Sequence, residues 1–135
     1  MKFEQLQKDF SIQNMNDFLK KHPGDCYNFQ DLTKIQSITE NYIEQSKYNI
    51  FHSKKINNQL SKFLSDQMNF FRIYNRNCFP FQDKYLKLNT DLRDNSDPQK
   101  RSEYEILVND LNKALDQIDT SYTELLKLCK KVLHN

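Results

Sequence analysis

The sequence predicts an all-α protein in which short N-terminal helices precede long coiled-coil helices. The 135 residues include one Gly and three Pro, too few for the turns of a β-sandwich or a barrel. Apolar residues make up 37% of the chain, below the roughly 45–50% of ordinary globular domains, as expected if each helix buries one stripe. Aromatic residues, at 13%, are too frequent for a disordered chain. We therefore expect a single helical domain, residues 1–135, that completes its core with partners.

The first segment, residues 1–24, is predicted to hold one or two short helices. Its large apolar side chains recur at roughly helical spacing from Phe3 to Leu19. Pro23 and the only glycine, Gly24, follow them. This pair is the clearest helix stop in the sequence.

The second segment, residues 31–92, is predicted to form a first long coil with a break near Phe79–Pro80. Residues 31–78 contain neither Pro nor Gly, and as one helix they would span about 70 Å. Polar residues interrupt the heptads, which indicates more than one packing neighbour. Beyond the break we expect a short helical piece over 81–92. The apolar positions of most interest in this coil are Ile56, Leu60, Phe63, Leu64, Phe70 and Phe71.

The third segment, residues 98–133, has the most regular pattern and is predicted to be a second coil. A turn at 93–97 precedes it, and Asp97 and Pro98 are residue types preferred at the N-cap and the first position of a helix. Apolar residues also flank the heptad positions, which favours three or more helices in contact. The neighbours are either helices of other chains or, in an intramolecular bundle, the second segment. The heptad positions step by four and three residues: Tyr104, Val108, Leu111, Leu115, Ile118, Tyr122, Leu125, Cys129 and Val132.

Residues with catalytic or metal-binding chemistry form no constellation in the sequence. The three histidines lack metal-ligand spacing, and Cys26, Cys78 and Cys129 lie about fifty residues apart. We therefore expect no enzyme, no cofactor, no metal and no small-molecule substrate. The net charge of +2 argues against a nucleic-acid partner, and no apolar run is long enough to predict a membrane span.

An aromatic cluster surrounds the predicted break. It consists of Phe70, Phe71, Phe79 and Phe81. One interpretation is a core where the long helix turns back. The other is an anchor for a partner helix, since aromatic side chains are favoured at interface centres. Both interpretations stay open at this level.

Three blocks of the sequence follow one another in a recognisable order. Residues 3–6 read Phe-Glu-Gln-Leu, residues 56–67 read Ile-Asn-Asn-Gln-Leu-Ser-Lys-Phe-Leu-Ser-Asp-Gln, and residues 100–104 read Lys-Arg-Ser-Glu-Tyr. In order and spacing, these blocks resemble the C-terminal coiled-coil domain of the central-channel FG nucleoporins. Unlike that family, the sequence has no Phe-Gly dipeptide, so the resemblance does not extend to transport-receptor binding.

The resemblance implies a scaffold role. It implies a parallel heterotrimer with two other coiled-coil nucleoporins, in which Leu111, Leu115, Ile118, Tyr122 and Leu125 are the trimer contacts. We therefore predict a non-enzymatic coiled-coil subunit of a multiprotein assembly, most specifically a nucleoporin-like scaffold component of the nuclear pore's central channel, located at the nuclear envelope. The expected partners are other coiled-coil proteins in a hetero-oligomer, and the predicted interface is formed by the fifteen apolar positions of the two coils given above.

Two alternatives use the same heptads or the same helices. The first is a generic coiled-coil adaptor or tether subunit of a cytoskeletal, ciliary or other complex, located in the cytoplasm. The second is a helical nucleic-acid-binding accessory factor, for which binding should weaken steeply with salt.

Overall fold

The computed structural model describes residues 2–133 and is mostly helical, with one small antiparallel sheet. In chain order the elements are α1 (Lys2–Asp9), α2 (Ile12–Leu19), β1 (Tyr27–Asn28), α3 (Phe29–Ser46), α4 (Lys54–Asn77), β2 (Cys78–Phe81), β3 (Tyr85–Leu88), α5 (Thr90–Arg93) and α6 (Pro98–Leu133).

Two short helices, α1 and α2, occupy the N-terminal segment, as predicted. Ser11 separates them, since its backbone is extended and its hydroxyl accepts a hydrogen bond from the Asn14 amide at 3.2 Å. This is the geometry of an N-cap. Both helices turn one apolar face inward, with Phe3, Leu6 and Met15 buried.

The prediction of one continuous first coil is wrong, because a loop separates α3 from α4. Within it Asn49 has a left-handed backbone with φ 54°, which does not continue a helix. Ser53 caps α4 by accepting a hydrogen bond from a backbone amide 3.3 Å away. The side chain of Asn57 pairs with both the amide and the carbonyl of Phe51, whose ring is buried. Asn and Ser are common in turns and caps, so this break had a local signal.

The prediction of a kinked helix beyond Phe79 is also wrong, and so is the all-α class in this region. Strands β2 and β3 form an antiparallel hairpin, and β1 pairs with the other side of β3, so that the strand order is β1-β3-β2. Pro80 cannot continue a helix, but it is accepted in an edge strand. Gln82, at the hairpin turn, has a positive φ of 54°. Only the single turn of α5 is helical in the predicted 81–92 piece.

The turn at 93–97 and the long C-terminal helix are confirmed. Helix α5 ends at Arg93 and α6 begins at Pro98. The carboxylate of Asp97 accepts a hydrogen bond from the Gln99 amide at 3.0 Å, as an N-cap does. The 36 residues of α6 give it a length of about 54 Å.

Helices α4 and α6 run antiparallel and form the main seam of the core. At one end the Gln59 side chain donates a hydrogen bond to the Ser121 carbonyl at 3.0 Å. Towards the other end Tyr74 of α4 lies within electrostatic range of Tyr104 of α6. The heptad stripe of the third segment therefore packs on the second segment of the same chain.

The N-terminal helices and α3 close the core around Tyr122. Its hydroxyl donates to the Phe10 carbonyl at 2.6 Å, and its ring lies 5.4 Å from that of Phe63 between centroids. The Tyr42 hydroxyl of α3 donates to the Asp9 carboxylate at 2.8 Å. These contacts join α1, α3, α4 and α6 in one hydrophobic cluster.

One buried polar side chain in the seam has no partner among the described residues. Gln67 on α4 is fully buried, and neither its amide nitrogen nor its amide oxygen is hydrogen-bonded. An unsatisfied buried polar group of this kind costs about 1–3 kcal/mol of stability.

Four tyrosine hydroxyls are kept protonated by the core. Burial is the main cause that raises the pKa of Tyr27, Tyr42, Tyr74 and Tyr122, and it raises that of Tyr122 to about 12 from 10.0. Burial also raises the pKa of the Cys129 thiol to about 11. These groups therefore ionise more readily in the unfolded chain than in the folded one.

We expect the free energy of unfolding to fall as the pH rises above 10.0, the ordinary tyrosine pKa. Above that pH the unfolded chain releases protons that the folded chain retains, so ionisation favours the unfolded state. Below it, these tyrosines contribute no pH dependence. Urea unfolding followed by circular dichroism between about pH 8 and pH 12 measures the effect. A urea midpoint that stays constant over this range would contradict it.

Candidate interaction surface

The residues predicted to contact partners lie mostly in the chain's own core. Thirteen of the fifteen are buried, which leaves Val108 half-buried and Val132 39% exposed. The same chain covers these thirteen side chains, so they are not exposed to a partner in this fold. Their packing corresponds to the intramolecular bundle. The thirteen are Ile56, Leu60, Phe63, Leu64, Phe70, Phe71, Tyr104, Leu111, Leu115, Ile118, Tyr122, Leu125 and Cys129.

The aromatic cluster around the predicted break divides into two groups. Phe70 and Phe71 are buried, and both rings contact Phe18 of α2, so they belong to the core. Phe79 is 53% exposed on β2, and Phe81 is half-buried. The core interpretation therefore fits Phe70 and Phe71. Within this cluster, only Phe79 and Phe81 are candidates for a partner anchor.

The sheet register gives the hairpin one inner and one outer face. Cys78 pairs with Leu88 and Pro80 with Leu86, and the buried Leu88 marks the inner face. Residues directly opposite each other in an antiparallel pair project to the same side, and neighbours along a strand alternate. The other side is the outer face.

The outer sheet face consists of Phe79 and Phe81 on β2 and of Tyr85 and Lys87 on β3. Phe79 pairs with Lys87, and Phe81 pairs with Tyr85. The Lys87 ammonium lies 4.1 Å from the centre of the Phe81 ring, a cation–π contact. Tyr85 is 38% exposed. Three aromatic rings and a lysine thus share one face, on which Phe79 and Tyr85 are exposed and Phe81 and Lys87 are half-buried.

Hydrogen bonds connect the two strands of this face to the neighbouring helices. The Asn77 side chain donates to the Ile73 carbonyl at 2.7 Å where α4 ends. The Asn77 carbonyl in turn accepts from the Asn89 amide at 3.1 Å, which starts the β2–β3 ladder. On the other side of β3, the Phe29 amide donates to the Lys84 carbonyl at 2.8 Å. The hairpin is therefore tied to α3 and to α4.

A cleft between the α1–α2 hairpin and α3 is the second feature of the surface. Its volume is about 270 Å³, close to the lower end for ligand pockets. The floor is apolar and includes Met15 and Leu32, whereas the rim mixes acidic Asp17 and Asp31 with basic Lys34. Because the rim carries both positive and negative side chains, it favours neither anionic nor cationic ligands.

Side chains with metal-binding chemistry do not cluster at the outer sheet face or in the cleft. Among residues 2–133 no three His, Cys, Asp or Glu side chains are arranged to hold a metal ion. The described cysteines are free thiols. No helix in the described part of the chain is both long and apolar enough to cross a membrane.

The sequence contained a signal for the outer sheet face that the helical interpretation missed. Phe79 and Phe81 alternate with Pro80, Leu86 and Leu88 alternate with Tyr85 and Lys87, and a polar turn of three residues joins the two runs. Period-two alternation on both sides of a short turn is typical of a hairpin.

Comparison of the chain with protein-family models, with curated proteins and with solved structures gives no match. The resemblance to the nucleoporin coiled coil therefore stays a prediction.

Proposed function

We propose that the chain is a non-enzymatic binding subunit of a larger protein assembly, and that it contacts its partner through the outer sheet face. The observation that carries this proposal is the position of Phe79, Phe81 and Tyr85 on one exposed surface of a chain whose core is already closed. Isolated exposed apolar residues need no explanation, but clustered aromatic side chains are enriched at the centres of protein interfaces.

The packing supports a preformed surface. Hydrogen bonds at Asn89 and Phe29 tie the hairpin backbone to neighbouring elements, so the strands that carry the rings do not have to form on binding. A rigid aromatic surface binds at a lower entropic cost than a flexible one. The buried heptad stripe, in contrast, would have to open before a partner helix could pack on it.

The nuclear-pore role is a finer form of the same proposal. It requires FG-repeat coiled-coil proteins as partners and a location at the nuclear rim. The generic adaptor of a cytoskeletal or ciliary complex requires other partners and another location. The same experiment separates the two, because it identifies the partners themselves.

Affinity purification of the endogenously tagged chain, with mass spectrometry of what it retains, tests the proposal. We expect partners at near-equal stoichiometry with the wild-type chain and their loss with the double variant Phe79→Ala, Tyr85→Ala. Tyr48→Ala is the matched control, since Tyr48 is 81% exposed and follows the C-terminal end of α3, whose N-terminal end adjoins β1. Circular dichroism should show that both variants fold.

Two results would contradict the proposal. One is recovery of the same partners by the double variant, and the other is equal loss with Tyr48→Ala. Recovery of FG-repeat coiled-coil proteins would support the nuclear-pore form, and recovery of an unrelated complex would leave only the adaptor form.

A further inference from the structure

We propose that the end of the helical bundle farthest from the hairpin docks on an anionic lipid membrane surface. Strand β2 follows the last residue of α4, so this end contains the first turn of α4, the α3–α4 loop (47–53) and the last two turns of α6 (126–133). We call it the basic end. The inference does not depend on the outer sheet face, because that face lies at the other end of α4.

Two segments of the sequence, residues 45–65 and 125–133, contain seven lysines and no acidic residue. The whole chain has 20 basic and 18 acidic side chains, so its other parts carry more acidic than basic residues. The positive charge of the chain is therefore concentrated in these two segments. The seven are Lys47, Lys54, Lys55, Lys62, Lys127, Lys130 and Lys131.

The antiparallel packing of α4 on α6 brings the two segments to the same end of the bundle. The hydrogen bond from Gln59 to the Ser121 carbonyl sets the register of the two helices. At about 1.5 Å per residue, Lys54 lies at the height of residue 126 on α6. Helix α6 continues about 10 Å past that height, to Leu133. Lysines from both segments therefore surround the start of α4.

The carboxylates that flank the two segments do not neutralise this end. Each of the three pairs with one of the seven lysines, at 3.0, 3.0 and 4.0 Å, in the pairs Glu44–Lys47, Asp66–Lys62 and Glu124–Lys127. Helix α1 borders the α3–α4 loop and contains as many acidic as basic residues. Positive charge therefore remains in excess. The lysines without an ion pair among the described residues are Lys54, Lys55, Lys130 and Lys131, and all four are exposed.

Helix stability does not explain the lysines that begin α4. Cations are favourable at a helix C-terminus, where α6 has Lys130 and Lys131, and unfavourable at an N-terminus. The first turn of α4 nevertheless contains Lys54 and Lys55 and no acidic residue. These two side chains oppose the helix dipole, so an anionic surface that pairs with them would offset a cost that folding leaves in place.

Exposed apolar side chains accompany the lysines at the basic end. Tyr48 in the α3–α4 loop is 81% exposed, and Val132 near the end of α6 is 39% exposed. Amphipathic rings are enriched at membrane–water interfaces, and clustered lysines are attracted to anionic lipid headgroups. Membrane surfaces bind side chains of both kinds together.

A nucleic acid fits the basic end less well. The basic residues of the two segments are all lysines, whereas base edges and phosphates are typically recognised by the planar guanidinium of arginine. Single strands also need several stacking rings, and Tyr48 is the one exposed aromatic side chain of these segments. An acidic polypeptide would use the lysines alone, without a role for Tyr48.

Co-sedimentation of the full chain with lipid vesicles tests the inference. One vesicle preparation is phosphatidylcholine alone, and the other contains roughly one-third phosphatidylserine. We expect the chain to sediment with the anionic vesicles and not with the neutral ones. Raising the salt from about 0.1 M to about 0.5 M should release it, because salt screens charges at a surface. Polyglutamate or a DNA duplex, at the same concentration of negative charge as the vesicles, should not release it.

The double variant Lys54→Glu, Lys55→Glu should weaken vesicle binding about thirtyfold, since each lysine near an anionic surface contributes about fivefold. Glutamate is favourable in the first turn of a helix, so α4 should stay folded, which circular dichroism checks. Lys34→Glu, Lys113→Glu is the matched control, because both residues are exposed, lie outside the two segments and change the net charge equally. This control should bind like the wild-type chain, and Tyr48→Ala should bind more weakly.

Several outcomes would overturn the inference: no binding of the anionic vesicles, equal binding of the neutral ones, release by polyglutamate or DNA, unchanged binding of Tyr48→Ala, or equal effects of the two lysine variants. The partners that depend on Phe79 and Tyr85 should be retained by Lys54→Glu, Lys55→Glu. The Phe79→Ala, Tyr85→Ala variant should in turn keep its vesicle binding. Failure of the membrane inference would therefore leave the proposed function standing, and the reverse also holds.

Discussion

Leu125→Asp is expected to unfold the isolated chain. The Leu125 side chain is fully buried in the seam between α4 and α6. A carboxylate placed there loses its hydration within the buried hydrophobic cluster, and unpaired buried charges belong to the substitutions that cost more than about 4–5 kcal/mol. That loss is comparable to the whole stability of many domains, about 5–15 kcal/mol. Circular dichroism and thermal unfolding of the purified variant measure the effect.

Ile106→Asp is the matched control on the same helix. Ile106 is 60% exposed, so its substitution should change the free energy of unfolding by no more than about 0.5 kcal/mol. If Leu125→Asp folds like the wild-type chain and only loses assembly, the heptad seam is an intermolecular interface, as the sequence alone predicted. The experiment therefore decides between the intramolecular bundle and the coiled-coil assembly.

Gln67→Met should stabilise the chain by about 1–3 kcal/mol, because it removes a buried amide that has no hydrogen-bond partner. Methionine is unbranched like glutamine and adapts to irregular space, so the substitution needs little repacking. Urea unfolding followed by circular dichroism should show a higher midpoint with an unchanged slope.

Gln59→Met is the comparison variant, and we expect it to change the free energy of unfolding in the opposite direction. Gln59 lies eight positions earlier on α4, and its amide donates to the Ser121 carbonyl at 3.0 Å. Loss of that hydrogen bond should lower the free energy of unfolding by about 1 kcal/mol. A stabilising Gln59→Met, or a destabilising Gln67→Met, would show that the unpaired amide does not dominate the energetics at position 67.

The buried Gln67 also explains why the sequence pattern there was ambiguous. A polar residue in a heptad stripe is typical of a coil with a partner that satisfies it. In the structure it is buried and has no hydrogen-bond partner among the described residues. Periodicity identifies the face of the helix on which Gln67 lies. It does not identify the residues that pack against that face.

Local signals determined much of the secondary structure. The caps at Asp97 and Pro98, the turn before them and the uninterrupted period of α6 depend only on neighbouring residues, and the structure confirms them. The loop at Asn49 and the hairpin around Pro80 also had local signals. The loop was missed because residues 31–78, without Gly or Pro, favoured one continuous helix, and the hairpin was missed because a helix was expected to resume beyond the break at Pro80.

Two properties were decided only by the tertiary structure. One is that the stripe from Tyr104 to Cys129 packs on α4 of the same chain, which turns a predicted partner interface into core. The other is that Phe79, Phe81 and Tyr85 share one exposed face, which depends on strand register. Amino-acid periodicity determines which residues are buried along a helix. The surface that buries them depends on how the chain returns on itself, through contacts between residues far apart in sequence.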